Sequence, residues 1–344
     1  MDCCSIASSL SSSRSTNAVR SFKLNVHRML TFRKQLLRPS SDSVASLTKP
    51  VAVHARRFPP RIRAEHIHLV KMSTHQSESK RQKTSSSSTT AYELIYWPGI
   101  PGRGEPIRLC FEETSTPYTD VANQTKDGIK AVNSFINPSN IGEGGNLPPL
   151  APPILRHGGL LIGQLPNILL YLGPRLGLAP DQDKDPNGIY YINQLALTAL
   201  DGLSNEPHDV HHPIAVGAYY EEQKEEAKKK AQDYLKNRLP KFVDYFERVL
   251  KSEASKGGEW LYGGKLTYAD LVLFQTMDGV SFAFPKAMDQ MKKSGEYDGV
   301  FGLVERVRSR ENIKKYLESD RRLKYSSGVY RKFPLIRSAF EKHG

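Results

Sequence analysis

Four residues that could bind a metal ion stand close together in the segment EPHDVHHP: His208, Asp209, His211 and His212. The three histidines would share one face of a helix, at spacings of three and four residues, and imidazole is a common zinc ligand. Pro207 and Pro213 flank the cluster and should interrupt such a helix, because proline lacks the backbone N–H that a helix uses. No cysteine joins the group, so we predict that it holds no metal.

Thiol chemistry is limited by the cysteine count. The chain of 344 residues contains three cysteines, Cys3, Cys4 and Cys110. Three thiols cannot build a disulfide framework or a four-thiolate zinc site, and no C-x-x-C pair is present. A reducing compartment fits this composition. Cys110 lies in the apolar run of EPIRLCFEET and is most simply a small core residue.

Positive charge is concentrated at the start of the chain. Residues 1–90 hold 16 basic and 4 acidic side chains, whereas the remainder holds 33 and 32. The nearly neutral remainder predicts no basic face for DNA or RNA, so we expect no nucleic-acid partner. No stretch approaches the roughly eighteen consecutive apolar residues of a membrane-spanning helix, and we expect no membrane partner.

Residues 1–90 have the composition of a transit peptide, with 19 serines, spaced arginines and few acids. The serine-rich start favours a plastid, and the arginine-spaced middle favours a mitochondrion. A disordered extension remains an equal alternative to organelle import. A product that began at Met72 would instead stay in the cytoplasm.

Two patterns of secondary structure follow residues 1–90, first mixed strands and helices and then helices alone. Residues 92–97 and 118–121 are typical of strands, residues 105–114 and 128–135 of helices, and ILRHGGLLI of a hairpin before a helix in PNILLYLGPRLGL. The predicted order is βαβαββα. Beyond residue 181 every periodic segment is helical, and Thr267 and Asp270 form a capping box in which Leu266 can pack against Leu271.

Residues 91–344 resemble a cytosolic glutathione S-transferase, closest in pattern to the sigma-like, tyrosine-type classes. The motifs are YELIYWPGIPGRGEPIRL, PPILRHGGLLIGQLPNILLYL and LTYADLVLF. The resemblance implies a thioredoxin-like α/β domain at residues 91–178, an all-helical domain at residues 183–344, and a homodimer. It also implies glutathione as co-substrate, a small apolar electrophile as partner, and no metal.

In the first motif, the resemblance makes Tyr96 the catalytic tyrosine. Its hydroxyl would donate to the glutathione sulfur and lower the pKa of a thiol that is otherwise mostly protonated at neutral pH. The alternative is a core aromatic, with Tyr92 or Trp97 facing the site. Arg103 matches an arginine that supplies a positive field beside this tyrosine, or it forms a structural salt bridge. One extra residue lies between Trp97 and Gly102 relative to the sigma pattern.

In the second motif, Pro153 matches a cis-proline before the third strand. The residue before it offers backbone groups to glutathione in the family, but Pro152 has no N–H to donate. Gln164 matches the glutamine of a Gln-Ser pair that holds the γ-glutamyl end, and Leu165 replaces the serine. We therefore expect glutathione binding to lose about 1 kcal/mol for each missing neutral hydrogen bond.

Two further features bear on binding. The backbone amides of Asn167 and Ile168, at the start of the helix that contains Pro166, are expected to be unpaired and to attract a carboxylate. Asp201 stands roughly where the family places an aspartate that reaches across the dimer to the substrate amine, or it is a solvated carboxylate.

The leading function is therefore glutathione transfer to small electrophiles, with peroxide reduction and isomerisation as related chemistry. The rival is a non-catalytic, transferase-like ligand-binding protein, motivated by Pro152 and Leu165. A metal-dependent enzyme built on the histidine cluster is a third reading, and it predicts stoichiometric zinc. The histidines more simply shape the second-substrate pocket, with Tyr219 and Tyr220 nearby.

Overall fold

The computed structural model describes residues 91–332, so the predictions for residues 1–90 and 333–344, including those on Cys3, Cys4 and Met72, lie outside the described part. The chain begins with a four-stranded sheet made of Tyr92–Ile95 (β1), Tyr118–Asp120 (β2), Ile154–His157 (β3) and Leu160–Gly163 (β4). The strand order is β2-β1-β3-β4. β1 and β2 are parallel, and the other two pairs are antiparallel.

The helices of this first part are Glu105–Glu113 (α1), Val121–Gln124 (α2), Gly128–Phe135 (α3) and Leu165–Arg175 (α4). The predicted order βαβαββα is confirmed, with the short α2 as an addition directly after β2. β1 ends at Ile95, two residues earlier than predicted, so Tyr96 begins the loop rather than ending the strand. This loop places Tyr96 next to the turn Gly102–Gly104 that precedes α1.

The second part is helical. Its helices are Gly188–Leu200 (α5), Glu206–His211 (α6), Lys224–Asp233 (α7), Leu239–Leu250 (α8), Tyr268–Ala283 (α9), Pro285–Ser294 (α10), Asp298–Arg308 (α11) and Glu311–Leu317 (α12). The prediction of no strand beyond residue 181 holds as far as residue 332. Sequence reasoning missed α10, although Pro285 occupies its first turn, where proline is favoured. Within the described residues, no helix is long and apolar enough to cross a membrane.

The predicted capping box starts α9. The Thr267 hydroxyl accepts a hydrogen bond from the Ala269 amide at 3.3 Å, and the Asp270 carboxylate accepts one from the Thr267 amide at 2.7 Å. Asp270 also accepts the Leu261 amide at 2.8 Å. The Thr267 hydroxyl donates a third bond to Asp270 at 2.9 Å. Burial raises the pKa of Asp270 to about 6, so these three bonds form to a carboxylate whose charge is costly to bury.

The core is continuous between the two parts. α9 packs against α5 and α1, and the Tyr268 amide donates to the Leu178 carbonyl at 2.9 Å. Cys110 is fully buried in this core, as predicted, and burial raises the pKa of its thiol. Because α9 contacts both parts, it supports the walls of any cleft between the sheet and the helical layer.

Two π-helical turns, called wide turns below, interrupt the helical layer. Residues Asp201–Asn205 join α5 to α6, and residues Tyr234–Arg238 join α7 to α8. In the first turn, the Glu206 amide donates to the Asp201 carbonyl five residues earlier. The expectation that Pro207 breaks the helix is wrong. Pro207 lies in the first turn of α6, where its missing N–H costs little.

Candidate active site

A cleft of about 340 Å³ lies between the α/β part and the start of the helical layer. Such a volume is within the range of small-molecule sites. Six of the seven residues predicted from the sequence line it: Arg103, Pro152, Pro153, Gln164, Leu165 and Asp201. A larger cleft, of about 470 Å³, lies beside α12 and contains none of the predicted residues.

Tyr96, the seventh predicted residue, lies at the back of one wall. Its side chain is 4% exposed, and its hydroxyl accepts a hydrogen bond from the Arg103 amide at 2.8 Å. The turn above it has room for this ring only because of two glycines. A Cβ at Gly102 would lie 2.2 Å from the Tyr96 hydroxyl, and one at Gly104 would lie 2.8 Å from the ring. The phenol oxygen is thereby fixed in direction, and a bond it accepts strengthens the bond it donates.

Arg103 links the two walls of the cleft. Its backbone holds Tyr96, and its guanidinium donates to the Asn205 side-chain oxygen at 3.0 Å. That partner is neutral, and within residues 91–332 no carboxylate forms an ion pair with Arg103. The expectation of a positive field therefore fits the geometry better than the alternative of a structural salt bridge.

The floor of the cleft is formed where the chain enters β3. The peptide bond between Pro152 and Pro153 is cis, as the sequence resemblance implies, and β3 begins at the next residue. Pro152 has no amide hydrogen, so this wall can offer a ligand only carbonyl oxygens at that residue.

Gln164 precedes α4 in an unusual backbone conformation. Its φ is +68° and its ψ is 115°, a combination that residues with side chains rarely adopt. Backbone outliers of this kind cost roughly 1–3 kcal/mol and cluster at ligand sites. Leu165 follows, 3% exposed, with its side chain in the core and at the cleft surface.

The start of α4 differs in one detail from expectation. The Ile168 amide donates to the Gln164 carbonyl at 2.9 Å, so the expectation that it is unpaired is wrong. The amides of Leu165 and Asn167 remain the first-turn groups that have no acceptor within the helix. A carboxylate docking here would therefore meet the amides of Leu165 and Asn167 rather than those of Asn167 and Ile168.

The opposite wall is the wide turn Asp201–Asn205. Asp201 and Asn205 both line the cleft, together with the apolar Leu197 and Leu200 of α5. Asp201 thus faces its own chain's cleft. Sequence reasoning missed Asn205, because an asparagine in a polar helical segment carries no local signal of its partner Arg103. The run DGLSNEP, with a glycine and a proline near a helix end, was the available hint of irregular backbone.

The histidine cluster lies immediately after this wall. The rings of His208 and His212 are 5.5 Å apart, and His208 lies 3.5 Å from Asp209. His211 is completely buried, and burial lowers its pKa to about 3. α6 ends at His211, so His212 leaves the helical face that the zinc hypothesis required. Among the described residues, no group of three or more potential ligands has the geometry of a metal site.

Comparison with known proteins gives one family. The model of the family described as "Glutathione S-transferase, C-terminal domain" matches residues 208–320. Glutathione S-transferase P 1 of Xenopus laevis is 27% identical over 234 residues, covering 68% of this chain and 94% of the relative. Glutathione S-transferase Mu 2 of Rattus norvegicus is 25% identical over 228 residues, with coverage of 66% and 91%.

A solved structure supports the same architecture. The sigma class GST of Fasciola hepatica superposes with a TM-score of 0.50 at 18% identity, covering 69% of this chain and 99% of that protein. At this identity the likeness concerns the fold, namely a thioredoxin-like domain followed by a helical domain.

Proposed function

The chain belongs to the cytosolic glutathione S-transferase family, and from that premise we propose that the cleft activates the thiol of glutathione for attack on small electrophiles. One observation carries the proposal. Six residues predicted from separate motifs line a single cleft, and the seventh, Tyr96, is bonded to the backbone of a lining residue, Arg103.

The proposed chemistry begins with the phenol of Tyr96. Its O–H donates to the glutathione sulfur, which stabilises the thiolate and lowers the pKa of the thiol. The thiol proton leaves to solvent, and Tyr96 stays protonated. The sulfur then forms a bond to the electrophilic carbon, and the leaving group departs with the electron pair of the bond that breaks. The Arg103 guanidinium supplies positive potential near the anion.

The γ-glutamyl end of glutathione is placed at the start of α4. The Leu165 and Asn167 amides and the positive end of the helix dipole favour a carboxylate there. Gln164 adds a side-chain amide, and Asp201 faces the cleft as a partner for the substrate amine. Apolar Leu197 and Leu200 give the same wall a surface for a hydrophobic group.

The test is conjugation of glutathione to a chlorodinitrobenzene-type electrophile by the full chain. Tyr96→Phe should lose at least about tenfold in kcat/KM, near 1.4 kcal/mol of transition-state stabilisation. Tyr92→Phe is the matched control, because Tyr92 lies on β1 four residues before Tyr96, and its ring stacks on His157 with centroids 4.0 Å apart. Equal activity of the parent and Tyr96→Phe refutes the assigned role. Absence of turnover in the parent leaves the ligand-binding rival.

The quaternary state is a further proposal, a homodimer. Its support is a set of exposed apolar side chains on α5 and in the loop before β3. Leu147 and Leu150 are 84% and 87% exposed, and Tyr190 is 70% exposed. Exposed apolar side chains that form a contiguous patch mark protein–protein interfaces. Light scattering on the purified chain that gives the mass of a monomer would refute the dimer.

Location in the cell is also proposed from the leader alone. Residues 1–90 are proposed to direct import into a plastid or mitochondrion, with a cytoplasmic product from Met72 as the alternative. A fusion of residues 1–90 to a fluorescent reporter tests this, and a diffuse cytosolic signal would contradict import.

A further inference from the structure

The wide turn that carries Asp201 and Asn205 is held from behind by a residue far along the chain. Tyr330 is 3% exposed, and its hydroxyl donates to the Leu203 carbonyl at 2.8 Å. Tyr330 therefore contacts the middle residue of the turn.

The backbone explains why the Leu203 carbonyl accepts a side-chain donor. In an α-helix this carbonyl would accept from the amide four residues later, but that residue is Pro207, which has no amide hydrogen. A buried carbonyl without a donor costs roughly 1–3 kcal/mol. The Tyr330 hydroxyl supplies the bond that Pro207 cannot.

The ring of Tyr330 occupies a space prepared for it in α9. A Cβ at Gly279 would lie 2.3 Å from the ring, so any larger residue there would displace the tyrosine. The ring also meets Tyr325 edge-on, with centroids 5.9 Å apart. Packing fixes the ring, which leaves the hydroxyl as the group that acts on the turn.

The segment of residues 322–330, which ends at Tyr330, also contacts the opposite wall of the cleft through Arg322. Arg322 forms an ion pair with Glu105, which starts α1 two residues after Arg103, and another with Asp278 at 3.1 Å. Residues 322–330 therefore connect the wall that holds Tyr96 to the wall that holds Asn205. The Arg103–Asn205 hydrogen bond spans these two walls at 3.0 Å.

We propose that Tyr330 is a positioning residue for the cleft, fixing the turn Asp201–Asn205 through the Leu203 carbonyl so that Asp201 and Asn205 meet the ligand and Arg103. The proposal rests on the proposed function in one respect, because it takes the ligand to be glutathione. Tyr330 does not line the cleft itself and acts through the turn.

The experiment compares Tyr330→Phe with Tyr325→Phe in the full chain. Each variant keeps its ring and loses one buried hydroxyl from the same segment. The Tyr325 hydroxyl donates to Asp278 at 2.8 Å and accepts from Gln275 at 2.9 Å and from Arg322 at 3.2 Å. None of these three partners lines the cleft. Three quantities are measured: amide hydrogen exchange in residues 201–206 without ligand, the glutathione Kd by calorimetry, and kcat.

Tyr330→Phe should accelerate exchange at the turn, including at the Glu206 amide, and should raise the glutathione Kd about fivefold with kcat within twofold of the parent. Tyr325→Phe should lower the melting temperature with Kd and turn exchange unchanged. Parent-like exchange in Tyr330→Phe overturns the proposal, as does faster exchange with an unchanged Kd. A parent that binds glutathione without turnover refutes the transferase proposal alone, since the Kd comparison still tests Tyr330.

Discussion

Replacing Leu165 with serine is expected to tighten glutathione binding while lowering the stability of the fold. Leu165 occupies the first position of α4, beside Gln164, and is 3% exposed where it lines the cleft. A serine there would place a hydroxyl donor at the site where we expect the γ-glutamyl carboxylate. A hydrogen bond to a charged group contributes roughly 1.5–3 kcal/mol, so the expected gain in affinity is at least about tenfold.

The stability cost follows from burial. Truncating a buried leucine to a small residue costs roughly 2–5 kcal/mol, and the lower end applies here because the side chain borders an existing cleft. A domain stability of about 5–15 kcal/mol leaves both variants folded. Leu165→Ala is the matched control, since it loses the same bulk without gaining a hydroxyl.

Calorimetry with glutathione and urea unfolding of the parent, Leu165→Ser and Leu165→Ala separate the two effects. The serine variant should bind about tenfold more tightly than the alanine variant, whereas their unfolding midpoints should fall together. Equal Kd values for the serine and alanine variants would show that no carboxylate docks at the start of α4. The assignment of the γ-glutamyl site would then be wrong.

Three further outcomes are expected. Gly102→Ala should reduce kcat at least tenfold, because the added Cβ would lie 2.2 Å from the Tyr96 hydroxyl and would displace it. A parent-like kcat contradicts this. Asn205→Ala should raise the glutathione Kd by freeing the Arg103 guanidinium from its 3.0 Å bond, and titration calorimetry checks it. His211 has a folded pKa of about 3 against an ordinary 6.5, so it stabilises the fold above pH 6.5 and loses that contribution as pH falls toward 3. The stability advantage of the parent over His211→Leu should therefore shrink below pH 6.5, by up to about 1.4 kcal/mol per pH unit, and pH-independent urea midpoint differences would refute it.

Local signals accounted for much of the fold. Alternating apolar residues gave the strands of the sheet, and the capping box at Thr267 located the start of α9, because both depend on neighbours within a few residues. The cis bond before Pro153 followed from the resemblance. The wide turn at Asp201–Asn205 could not be predicted from the sequence. One extra residue in a single turn hardly changes the apolar periodicity of a helix.

Pairings across long stretches of chain were out of reach. Asn205 binds Arg103 across 102 residues, and Tyr330 binds Leu203 across 127. Neither pair has a pattern in one sequence, because each joins residues that meet only in the packed fold. The prediction for Ile168 was wrong for a local reason, because its amide donates to the Gln164 carbonyl four residues earlier.

The chemistry of the cleft depends on Asn205 being neutral. A carboxylate at this position would form an ion pair with Arg103 and cancel much of its field at short range. The amide oxygen holds the guanidinium in place through one hydrogen bond and leaves its charge for an anion in the cleft. Because Asn205 sits on a turn whose carbonyl needs a donor from elsewhere, orientation of Arg103 depends on Tyr330 as well. The positive potential beside Tyr96 is thus set by contacts that join three distant parts of the chain.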